Sequence, residues 1–164
     1  MKSGRCLSVV VMLLGLLLAG GLPVLAGGDR PAPEGRAVWT YLKDAGYSSW
    51  PLFPGKDKLY KGRHPHGAWL TTYVSPDALA AIQAKKGMLP NGAFVVKENY
   101  SPEKKLAAVT VMYRVAGYDS EAGDWFWAKY APDGKVLKEG KVKGCIQCHQ
   151  AVISNDWIFT GPVK

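Results

Sequence analysis

Cysteine is scarce in this chain: three in 164 residues, one of which, Cys6, precedes a long apolar run. If Cys145 and Cys148 serve another purpose, no structural disulfide remains, which excludes a disulfide-stapled scaffold. Acids are also few. Thirteen Asp and Glu stand against twenty-one Lys and Arg, a net charge of +8. The bases are scattered rather than striped, and no nucleic-acid-binding motif is present, so no nucleic-acid partner is expected. The charge suits acidic electron-transfer partners or an anionic membrane surface. There is no internal repeat and no low-complexity tract. Past residue 26 the only methionines are Met88 and Met112, and none follows His149.

What is present begins with an export signal. Lys2 and Arg5 precede an uncharged stretch from Leu7 to Gly28, and Val24-Leu25-Ala26 offers small residues at the −3 and −1 positions of a cleavage site. Gly15, Gly20, Gly21 and Pro23 weaken the stretch as a membrane span. The expectation is a signal peptide over residues 1–26, cleaved after Ala26, and a periplasmic product. A flexible N-terminus follows over 27–36, and a single domain over 37–164.

Near the other end lies Cys145-Ile146-Gln147-Cys148-His149. Thiols at i and i+3 share one side of a helical turn. They can form thioethers to both vinyl groups of one haem c, with the adjoining His149 beneath the iron as proximal ligand. Two alternatives use the same cysteines. A redox disulfide of thioredoxin type comes early, after a strand, whereas this pair comes late. A zinc site with His64 and His66 would complete four ligands, but it gives no reason for a histidine directly after the second cysteine. Haem attachment occurs outside the bacterial inner membrane, in agreement with the leader.

The middle of the chain predicts an α+β fold: an antiparallel β-sheet with a few flanking helices, followed by a C-terminal CxxCH helix. A short helix is expected over Glu34–Asp44, stopped by Gly46, then a packed loop over Tyr47–Gly62. His66–Val74 alternates as a strand. Ser75-Pro76-Asp77 opens a helix with serine at the N-cap and proline in the first turn. Gly92–Asn99, Leu106–Tyr118, Asp124–Tyr130 and Lys135–Val142 read as further strands. Because no methionine follows the haem motif, the sixth iron position is expected to be open, with Met88, Met112, His64, His66 and Lys97 as conceivable protein ligands.

Several ordered motifs then coincide. Gly92-Ala93-Phe94-Val95-Val96-Lys97-Glu98-Asn99-Tyr100, Val111-Met112-Tyr113, Gly123-Asp124-Trp125-Phe126-Trp127, the haem motif and Asn155-Asp156-Trp157-Ile158-Phe159-Thr160 resemble the cytochrome P460 family, and Pro65-His66-Gly67 fits the same pattern. The resemblance implies an antiparallel haem domain, a homodimer, and action on a small nitrogen ligand. That ligand would be hydroxylamine, oxidised with electrons passed to a redox partner protein, or nitric oxide, bound without turnover as in the related cytochromes c′-β. A simple electron-transfer cytochrome is the remaining alternative. The resemblance also makes Lys97 a candidate haem cross-link with a catalytic role. Lys97 shares a strand face with Val95, and a buried amine can be kept neutral there. Phe94, Tyr113, Trp125 and Trp127 are expected to wall the distal side. Glu98, Glu121 and Glu139 are candidates, by chemistry only, for a proton-accepting carboxylate.

Overall fold

The computed structural model describes residues 30–164. The expected leader and the first residues of the N-terminal segment lie outside this range. From Arg30 onward the chain is tethered, with the guanidinium 2.8 Å from Asp77 and donating to the Tyr41 hydroxyl at 2.6 Å. Helix α1 (Gly35–Asp44) buries Val38 and Leu42 one turn apart. It ends where Gly46 takes a left-handed φ of 59°.

Six strands follow: β1 (Tyr60–Lys61), β2 (Trp69–Val74), β3 (Phe94–Tyr100), β4 (Leu106–Arg114), β5 (Trp125–Tyr130) and β6 (Val136–Gly140). They form one antiparallel sheet in sequence order. Helix α2 (Pro76–Gln83) bridges β2 and β3. Ser75 occupies the expected N-cap position, but its Oγ accepts the Phe94 N–H at 2.9 Å instead of capping, so the helix start is tied to the sheet. Strand β4 stops at Arg114, short of the expected Tyr118. The chain turns over Val115–Tyr118, where Gly117 has φ 75°. Helix α3 (Lys143–His149) carries the haem motif and leads into 3₁₀ turns over Gln150–Asn155.

The period of two divides the sheet's work between its faces. Phe94, Val96, Val111, Tyr113, Phe126 and Tyr130 pack under α1. Val95, Met112 and Trp127 face the other way, toward α2, α3 and the C-terminal segment. In register across this second face, Lys97 pairs with Thr72 on β2 and Thr110 on β4.

The C-terminal segment is fastened to the sheet by a buried ion pair between Arg114 and Asp156. Arg114 also donates to the Gly123 carbonyl at 2.6 Å and lies 4.5 Å from the Trp125 ring centroid. Asp156 accepts the Leu89 N–H at 2.8 Å. Removing one partner would strand the other charge in the interior. Arg114→Ala is therefore expected to cost about 3–5 kcal/mol of stability, measured by chemical denaturation of the purified protein.

Candidate haem site

Helix α3, β2, β3 and β4 enclose a two-lobed cavity. One lobe, about 470 Å³, is walled by Val95, Met112, Trp127, Val142, Ile158 and Phe159, with Cys145 on its lining. The other, about 460 Å³, is lined by Lys56, Tyr60, Lys61, Arg63, His64 and Leu70. Pro65, His66, Lys97, Cys148, His149, Phe159 and Thr160 line both, and Lys129 and Lys138 line the first. Each lobe falls within the range of cofactor pockets, roughly 300–1,000 Å³. No carboxylate lines either lobe.

The short α3 places both thiols and His149 together, as the motif predicts. Cys145 and Cys148 are free. Burial pushes the Cys145 thiol up. Among the described residues, no three His, Cys, Asp or Glu side chains are grouped to hold a bare metal ion, so the zinc alternative finds no site. His149 is buried, edge-on to Trp127 with ring centroids 4.7 Å apart and to Phe159 at 5.2 Å. Its Nδ1 lies 2.6 Å from the Trp157 carbonyl oxygen. A carbonyl only accepts, so Nδ1 carries the proton and Nε2 keeps its lone pair, the tautomer a metal-ligating imidazole needs. Burial holds the imidazole below its usual pKa, despite the carbonyl that favours the charged form.

Two backbone positions after Lys97, Asn99 shares its face and binds His66. The amide Nδ2 donates to the Lys97 carbonyl at 2.9 Å, Thr110 Oγ1 at 3.1 Å and the Ala108 carbonyl at 3.3 Å. Oδ1 is thus the acceptor and lies 2.9 Å from His66 Nδ1. The His66 loop is pressed onto β3 at Gly67, where a Cβ would come within 2.5 Å of Tyr100 backbone atoms. His66 stands across from His149, with ring centroids 6.4 Å apart and planes at 82°. Burial, reinforced by Lys97, lowers its pKa to about 4.

Several expected site residues lie elsewhere. Phe94 and Tyr113 stack on each other at 4.2 Å on the α1 face, away from the cavity. Trp125 is core packing beside Arg114, so only Trp127 of the four aromatics lines the cavity. Glu98 points to the α1 face, accepting from Tyr47 at 3.2 Å and Tyr100 at 2.6 Å. Glu139 binds the Gly35 N–H, and Glu121 lies in an exposed 3₁₀ turn. Met88 is 59% exposed and far from a ligand's role. Sequence reasoning missed Asn99, although the same period of two that pairs Lys97 with Val95 also picks it out. It also missed Phe159 and the Trp157 carbonyl.

The residues present fit a haem. Paired thiols, an imidazole with a bare Nε2, an apolar wall and several cations that would meet acidic substituents surround it. The fold and site therefore define a monohaem c-type cytochrome. The chain belongs to the cytochrome P460 family, whose sequence pattern matches residues 45–160. It matches none of the curated proteins.

Lys97 is 9% exposed and forms no ion pair among the described residues. Burial, with Lys56 adding repulsion, lowers its pKa from 10.5 to about 8. Between these values the unfolded chain holds a proton that the folded chain has lost, so stability rises with pH there, and the penalty is complete below pH 8. In the haem-free chain, Lys97→Met is expected to gain roughly 1–3 kcal/mol at pH 7 and to lose that rise, as read by urea unfolding across the pH range.

Proposed function

We propose that this cytochrome is exported to the periplasm, binds a small nitrogen species at its haem and meets a redox partner protein, as a homodimer. The observation that supports this reading is the acid-free, largely apolar lobe beside the bare Nε2 of His149. A haem bound there supplies a one-electron couple and an iron that takes small neutral ligands. The chain's own residues do the rest. Trp157 orients His149, while Val95, Met112 and Trp127 exclude water. Lys56, Lys61 and Arg63 supply positive charge at the opposite lobe. The leader over 1–26 supports export.

Of the two nitrogen species, nitric oxide suits the lining better. Its binding releases no proton, whereas oxidation of hydroxylamine does, and the cavity offers no carboxylate to receive one. Nitric oxide is expected to shift the visible spectrum of the reduced protein. Hydroxylamine is expected to leave an artificial electron acceptor unreduced.

Hydroxylamine turnover is a second reading, favoured by the position of Lys97. Its amine lines both lobes and so lies where a haem edge would pass, as the cross-link implied by the resemblance requires. Proteolysis and mass spectrometry separate the two. A haem peptide containing only Cys145 and Cys148 is expected for nitric oxide binding. A further attached segment containing Lys97, with acceptor reduction lost in Lys97→Ala, would put turnover first.

A further inference from the structure

We infer that His66 is the second axial ligand of the iron, so that the site is closed by the protein at rest rather than open. The inference rests on the haem reading above. It starts from two rings that are prepared in the same way. His149 gives its Nδ1 proton to the Trp157 carbonyl at 2.6 Å. His66 gives its own to Asn99 Oδ1 at 2.9 Å, and Asn99 cannot reverse its amide because Nδ2 is committed to Lys97, Thr110 and Ala108. Each ring thus presents a bare Nε2, and neither Nε2 has a partner among the described residues.

The spacing agrees with a metal held between them. Two imidazoles bound coaxially through metal–nitrogen bonds of about 2.0 Å hold their ring centroids about 6.3 Å apart. The centroids here are 6.4 Å apart. Rings in simple packing contact need not leave room for an atom between their nitrogens. The two histidines also form part of the wall common to both lobes. A flat macrocycle crossing the line that joins them would extend into both lobes, with Cys145 and Cys148 to hold it and lysines in each lobe to meet its acidic groups. His64, by contrast, lines only the basic lobe, and Met112 only the apolar one.

His66 is half-buried and is also held from behind. Its loop is closed by the Gly62 N–H to the Ala68 carbonyl at 2.8 Å and the His66 N–H to the Arg63 carbonyl at 3.0 Å. Gly67 brings it against β3 and donates to the same Asn99 Oδ1 at 3.4 Å. An outside ligand would therefore bind only after His66 has left the iron, which makes the loop over 62–68 a gate on access.

The test uses the haem-loaded protein. The ferric form is expected to be low-spin by visible absorption and electron paramagnetic resonance, and carbon monoxide to bind the reduced form slowly. His66→Ala should convert the ferric form to high-spin and speed carbon monoxide binding about tenfold or more. Added imidazole should restore the low-spin spectrum, a rescue that a merely misfolded variant would not show. His66→Met, as a second variant, should remain six-coordinate with a raised reduction potential. A high-spin parent, or a His66→Ala protein that stays low-spin without imidazole, overturns the inference and leaves the haem reading standing. A pyridine haemochrome lacking the c-type band overturns both.

Discussion

The Arg114–Asp156 ion pair is the constraint on which the site depends. It joins the end of β4 to the residue just before Trp157, whose carbonyl sets the tautomer of His149. Asp156 and Trp157 both have left-handed backbones, with φ of 55° and 66°. Non-glycine residues hold that conformation only where the surroundings enforce it. Arg114 and the Leu89 N–H do so by occupying both carboxylate oxygens of Asp156. The geometry of His149 is thus determined on the same face of the sheet as the cavity, by groups that do not themselves line it.

Strand β3 shows how one segment serves two purposes. Phe94, Val96 and Glu98 look toward α1, where stacked aromatics and tyrosine hydroxyls satisfy them. Val95, Lys97 and Asn99 look toward the cavity. A shift of one residue in register would exchange the two sets, putting a carboxylate beside the ligands and a lysine into the apolar layer. The adjoining pair Phe94↔Tyr113, stacked on the α1 side, opposes such a shift and holds the pairings Val95↔Met112 and Lys97↔Thr110.

Much of this was legible in the residues. Alternation located β2 to β6, Ser75-Pro76 located α2, and the haem motif located α3, because each signal is local. Strand β1, two residues long, has no period to detect. Periodicity also says which residues share a face, but not which face receives the C-terminal helix. For that reason Phe94 and Tyr113 were expected at the cavity and lie behind it. His149 and the thiols were readable as a motif. The carbonyl that orients His149 belongs to an irregular turn eight residues on, and the amide that orients His66 lies on a strand 33 residues away, so neither contact leaves a periodic mark. Asn99 itself is readable, two positions from Lys97 on a strand of known period.

The strand order has a consequence for how the protein is made. Every strand pairs with its neighbour in sequence, so the sheet can assemble through short loop closures as the chain emerges. The segment bearing Cys145, Cys148 and His149 comes after the last strand, and its fastening to Arg114 and Leu89 spans much longer separations. The two sulfurs therefore lie on the part of the chain that is made last, and docking of the final turns completes the cavity on a sheet already assembling.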